Sequence, residues 1–139
     1  MRSFKETTMK KIATDKTQSS ILRDMIGVAS ADMVWISGAP SQLCVIDDEY
    51  VKRESLDEYD TFAYSLDALI DIICRGGAWA DFYHVDDFLG QWVCRWSKRV
   101  KGMGLVHLSR IGKTKVDAAF DVVVYLYKEG YIKEDHAER

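Results

Sequence analysis

The stretch "SRIGKTKVDAAF", Ser109–Phe120, decides how the last third of the chain is read, because its Gly112-Lys113-Thr114 fits two incompatible structures. The three residues can end a phosphate-cradling loop, or they can form the tight turn that starts a helix. A Walker A loop places another glycine ahead of four intervening residues, so that backbone N–H groups curl around a phosphate. His107 occupies that position here, and no apolar strand signal launches the loop. The turn reading therefore prevails. Beyond it, Val116, Ala119, Phe120, Val123, Val124 and Tyr127 recur at helical spacing and predict a helix over 114–129, leaving Asp117, Ala118, Asp121, Tyr125 and Lys128 toward solvent. The competing signal is "VVVYLY", a β-branched and aromatic run, but a strand there would have no clean alternation.

Upstream, "VDDFLGQWVCRWSKRV" reads as a second helix, with Phe88, Leu89, Trp92, Val93 and Trp96 on one face and Arg95, Lys98 and Arg99 gathered at its C-terminal end. Gly102 and Gly104 end it, "GLVHLSRIG" supplies one short helix, and Gly112 breaks that. Helix, break, longer helix, then Leu126, Gly130 and "YIKE": this order over residues 86–135 resembles the helix-turn-helix and short following strand of winged-helix domains. The resemblance implies DNA binding through the turn. On it, Arg110, Lys113, Thr114 and Lys115, with Lys98, Arg99 and Lys101, would grip the phosphate backbone. Asp117 and Asp121 on the longer helix would repel phosphates, so base reading is not expected of it.

Earlier in the chain, Ser19 or Ser20 can cap a helix carrying Ile21, Leu22, Met25 and Ile26, after a loose extension over residues 1–18. "MVWISGAPSQLCVIDDEYV" reads as two short apolar runs around Gly38-Ala39-Pro40, a hairpin signal. "RESLDEYDTFAYSLDALIDIICRGG" reads as a helix with Phe62, Leu66, Leu69, Ile70 and Ile73 as its stripe, Asp60 or Thr61 as its cap and Gly76-Gly77 as its stop. The expected fold class is thus mainly α (α+β): one small helical domain over residues 1–139 with a winged-helix-like unit and a short β element.

Length and composition agree with one packed core: 139 residues, 47% hydrophobic, one proline and nine glycines. Nowhere do about 18 uncharged apolar residues follow one another, so a cytoplasmic chain without membrane contact is expected. Cys44, Cys74 and Cys94 are widely spaced and read as reduced thiols rather than disulfides or a metal knuckle. A Cys94 pair with His84 or His107 is the nearest approach to a catalytic signature.

Charge is segregated. Residues 45–90 hold three Lys/Arg against twelve Asp/Glu, whereas residues 91–139 hold ten against six. The acidic belt, with Asp47, Asp48 and Glu49 at its head, supports a second reading: an adaptor or inhibitor that meets a protein partner with these acids and with Trp79, Phe82 and Tyr83 of "GGAWADFY". "YHVDD" offers His84, Asp86 and Asp87 as metal ligands, but the two acids are better placed to start a helix. The expected protein is non-enzymatic, without metal or cofactor, and its partner is DNA, another protein or a second copy.

Overall fold

A computed structural model describes residues 11–47, 49, 51–85 and 90–134 of the chain. In order they form α1 (Lys16–Ile26), β1 (Met33–Ile36), β2 (Gln42–Val45), β3 (Thr61–Ala63), α2 (Leu66–Ile73), β4 (Trp79–Val85), β5 (Gln91–Val100), β6 (Gly104–Gly112) and α3 (Lys115–Lys128). The strands make two antiparallel sheets, one ordered β2-β1-β3 and the other β4-β5-β6. Helix and strand take nearly equal shares of the described residues, 33% and 35%, which overturns the mainly α expectation.

The correction is concentrated in residues 91–112. The two helices expected there are β5 and β6, paired from Trp92 opposite Gly112 to Val100 opposite Gly104. Consequently no helix-turn-helix forms in this region. The reason lies in a spacing that both periods share: Trp92 and Trp96 are four apart, which puts them on one helical face and equally on one strand face. Trp92, Cys94 and Trp96 point to one side of the sheet, and aromatic and β-branched residues suit a pleated surface. Gly102 and Gly104, at φ +86° and +79°, shape the hairpin turn instead of ending a helix. Asp86 and Asp87, expected as caps, lie outside the described residues.

A second correction concerns Asp60–Tyr64. Thr61–Ala63 pairs with β1, so α2 starts only at Leu66, capped by the Ser65 hydroxyl, which accepts from the Ala68 N–H. Asp60 holds a loop instead, accepting from the Ser37 and Asp57 N–H groups. The hairpin expected around Gly38-Ala39-Pro40 is present as β1 and β2. Helix α1 begins earlier than expected: Asp15 caps it and Gln18 closes a capping box, while Ser19 is buried and bonded to Thr14. Residues 11–18 are therefore tied into the fold, since Lys11 bonds Asp117 and Ala13 bridges Ser65.

The helix expected over 114–129 is α3, and Thr114 caps it by accepting from the Asp117 N–H. Val116, Ala118, Ala119, Val122, Val123 and Leu126 are fully buried, so Ala118 faces the core rather than solvent. This helix packs on β5, β6, α1 and α2, and its side chains join Leu22, Ile26, Leu69, Ile72, Ile73 and Trp96 in one apolar cluster.

The Gly112-Lys113-Thr114 question thus has a steric answer. A Cβ at Gly112 would stand 2.5 Å from the backbone nitrogen of Ala118 and 2.8 Å from the Asp117 Cβ. Glycine is needed so that the first turn of α3 can lie against the end of β6. Gly112→Ala forces that turn off the sheet and should cost about 1–3 kcal/mol, the range of overpacked cores. Urea unfolding of the two proteins measures it, and an unchanged midpoint would show that the helix start moves freely.

Candidate functional site

The sheet of β4, β5 and β6 has two unlike faces. Toward α3 point Ala80 and Phe82, Cys94 and Trp96, and Val106 and Leu108, all packed in or against the core. The opposite face follows from the register: Trp79, Ser97 and His107 form one row, Asp81, Arg95 and Ser109 the next, and Tyr83, Val93 and Ile111 the third, with Arg99 beside Leu105 at the hairpin end. Trp79, Tyr83, Leu105 and Ile111 are each 40% to 48% exposed. Alternation accounts for both faces, because successive residues of a strand point to opposite sides.

Two polar groups stand out on this open face. Arg95 lies over the Tyr83 ring, 5.4 Å from its centroid, and its Nε is buried without a hydrogen-bond partner among the described residues. A buried donor left unmade costs roughly 1–3 kcal/mol, so an acceptor arriving here would be stabilised. Ser97 is buried between Trp79 and His107, and its Oγ is 2.8 Å from His107 Nδ1.

The residues expected to grip DNA do not gather. Arg99 and Lys101 are exposed at one end of the β5–β6 hairpin, with Lys98 on the opposite side of the sheet from Arg99. Lys113, Thr114 and Lys115 lie past the other end of β6, which spans nine residues, or about 30 Å. Several are already engaged. Arg110 pairs with Asp121 at 3.0 Å and covers the Tyr125 ring, Thr114 is occupied as the cap, and the Lys115 ammonium sits 4.7 Å from the Trp92 ring centroid and 5.9 Å from that of Phe82. Lys98, Arg99, Lys101 and Lys113 have no ion pair among the described residues.

The partner-binding set divides differently. Trp79 and Tyr83 share the open face, whereas Phe82, between them on the other side of β4, packs against the core under Lys115. Asp47 accepts from the Glu49 N–H in a tight turn of the first sheet's outer loop, and Asp48 lies outside the described residues. The acids there shape loops as well as surface. Sequence reasoning missed Arg95, Val93, Leu105 and Ile111 because they were placed on helices; alternation across "WVCRWSKR" was the signal that could have found them.

No group of three or more His, Cys, Asp or Glu among the described residues is arranged to hold a metal ion. Cys94 is fully buried, and burial, then the neighbouring Cys74 and Asp81, push its thiol up to about 12. It stays protonated near neutrality, which leaves a pair with His84 or His107 without a thiolate. No described helix is long and apolar enough to cross a membrane. Comparison with protein-family models, curated proteins and solved structures finds nothing that matches the chain.

Asp117 is a heavily bonded carboxylate. It accepts from Lys11 Nζ at 2.7 Å, Gln18 Nε2 at 2.9 Å and the Thr114 hydroxyl at 2.9 Å, tying the start of α3 to the N-terminal segment. Burial alone would raise its pKa, but these three bonds and the Lys11 charge outweigh burial and hold it below the usual carboxylate range. A folded value below the unfolded one means that its stabilisation is complete above the unfolded value, about 3.9, and is lost as pH falls through the folded value. Asp117→Asn should weaken the fold at neutral pH and flatten the loss of stability below about pH 4. Urea midpoints at pH 7 and pH 3 measure both, and parallel pH profiles would remove Asp117 from the acid response.

Proposed function

We propose that the chain is a small non-enzymatic binding protein that receives a protein partner on the open face of its second sheet. The observation that carries this is the set of exposed Trp79, Tyr83, Leu105 and Ile111 around an arginine whose Nε has no acceptor among the described residues. Tryptophan, tyrosine and arginine are the residues that most often anchor protein interfaces. The complementary surface is accordingly apolar, with a carboxylate or carbonyl oxygen placed to accept from Arg95.

Size narrows the kind of partner. Three strands with β4 of seven residues present roughly 350 Å², less than half of the ~800 Å² per partner in a stable interface. That area suits a short peptide segment or a transient contact rather than a permanent subunit. The charges on this face are nearly balanced, with Arg95 and Arg99 against Asp81. A strongly charged ligand is therefore not what it fits best.

A second reading, contact with DNA, is favoured by Arg99 and Lys101 at the hairpin end, which form no ion pair among the described residues. Without a helix-turn-helix it reduces to backbone electrostatics, which salt weakens steeply.

A photocrosslinking residue in place of Tyr83, compared in cells with one in place of Tyr59, tests the leading reading. Tyr59 is 71% exposed amid the acidic belt and serves as the other candidate surface. We expect a discrete adduct from position 83 that Trp79→Ser abolishes while the circular dichroism spectrum is unchanged. Adducts from position 59 alone would move the partner to the acidic belt. Anisotropy of a labelled random duplex between 50 and 200 mM salt examines the second reading, and tight, salt-sensitive binding lost in the Arg99→Glu/Lys101→Glu protein would favour it over the first.

A further inference from the structure

The outer edge of β6 carries no partner strand among the described residues, because β6 ends the order β4-β5-β6. It is also the longest such edge: nine residues, against seven in β4 and four and three in β2 and β3 of the first sheet. Its exposure agrees. Leu105, His107, Ser109, Arg110 and Ile111 are exposed, whereas the central strand β5 exposes Arg99 alone. Unpaired N–H and C=O groups along an edge invite another strand, and proteins usually guard them with lysine, proline, a bulge or a very short run. None of these guards is present in β6: it holds no lysine or proline, and its pairing with β5 runs without a break from Gly104 to Gly112.

We propose that β6 pairs antiparallel with β6 of a second copy of the chain, about a two-fold axis beside Leu108. This register pairs all nine residues, and every pair joins two odd or two even positions, whose backbone groups turn the same way. Leu105 comes opposite Ile111, His107 opposite Ser109 and Val106 opposite Arg110. The two exposed apolar side chains of the strand thus cover each other, and no like charges face. An axis at His107 would set two histidines against each other, and one at Ser109 would carry Leu105 past the end of the strand. A cavity of about 360 Å³ stands ready at the same edge. Val93 and Ile111 of the open face line it together with Arg110 and Asp121 of the helix side, so it reaches round the free edge of β6. Leu105 of the second copy arrives beside Ile111, in this cavity. On the helix side Arg110 is paired with Asp121 and covers the exposed Tyr125, so that pair brings no net charge to the junction.

The pairing uses the edge of the sheet rather than its open face, and it stands whether or not that face receives a protein. Sedimentation equilibrium of the purified full chain, from micromolar to millimolar concentration, tests it, and a monomer–dimer equilibrium is expected. Leu105→Lys should weaken the association roughly fivefold, since two symmetric Leu105–Ile111 pairs are lost. Adding Ile111→Glu should recover it by setting an acid opposite the new base, and an unchanged circular dichroism spectrum controls for the fold. Amide hydrogen exchange of the unsubstituted protein locates the contact without any variant. Alternate amides of β6 should slow as concentration rises, while those of β4 do not. A chain that stays monomeric at millimolar concentration leaves the edge to some other strand and overturns the proposal. A dimer protected along β4, or one that Leu105→Lys leaves intact, overturns it as well.

Discussion

The structure depends on the burial of α3 against the second sheet. Val116, Ala118, Ala119, Val122, Val123 and Leu126 are all without solvent exposure, and they contact side chains from α1, α2, β5 and β6. Burying a Val or Leu side chain contributes about 1.5–3 kcal/mol, so this one helix supplies a large part of the apolar stabilisation. Its position is set at one point. Gly112 has no side chain, the helix start drops onto the sheet, and the Thr114 hydroxyl then satisfies the orphan Asp117 N–H of the first turn. The Lys11 and Gln18 bonds to Asp117 bring the N-terminal segment to the same place.

How much of this was legible depended on whether a pattern belonged to one period or to two. The apolar positions of α3 match only the helical period, and the sequence predicts the helix correctly despite "VVVYLY", although the fully buried face is Val116, Ala118, Ala119, Val122, Val123 and Leu126, while Phe120, Val124 and Tyr127 of the expected stripe are half-buried. Tertiary burial on nearly all sides overrides the local β preference of that run. The β5 segment is different. Trp92 and Trp96 satisfy both periods, and the polar residues between them, Arg95 and Ser97, looked like the far side of a helix. They are the far side of a sheet. Glycines near the chain's turns were recognised as punctuation, but Gly102 and Gly104 do not say which kind of element they interrupt. Thr61–Ala63 was absorbed into a helix because Phe62 and Leu66 are four apart, and only pairing with β1 distinguishes them.

The site followed the fold. Trp79 and Tyr83 were legible as exposed aromatics, since two glycines precede them and no helical stripe claims them. Phe82 was not separable from them until β4 was known to be a strand, whereupon alternation sends it inward. The basic set failed for a geometric reason: residues 98–101 and 113–115 are close in sequence, but an antiparallel hairpin and one long strand hold them at opposite ends. Nearness along a chain means nearness in space only within a helix turn or across a hairpin loop.

The two faces of the second sheet differ in how their charged residues are accommodated. On the α3 side, Arg110 is paired with Asp121 and Lys115 lies against the faces of Trp92 and Phe82, whereas Lys98 has no ion pair among the described residues. On the open side the accounts do not close: Arg95 Nε has no acceptor among the described residues although Asp81 is its cross-strand neighbour, and the guanidinium lies over Tyr83 instead. Moving Arg95 to pair with Asp81 would give up its place over the Tyr83 ring. The observed arrangement keeps the guanidinium over the Tyr83 ring, beside Val93 in the next cross-strand row. An acceptor from the proposed partner would complete the one buried donor that is left without a bond among the described residues.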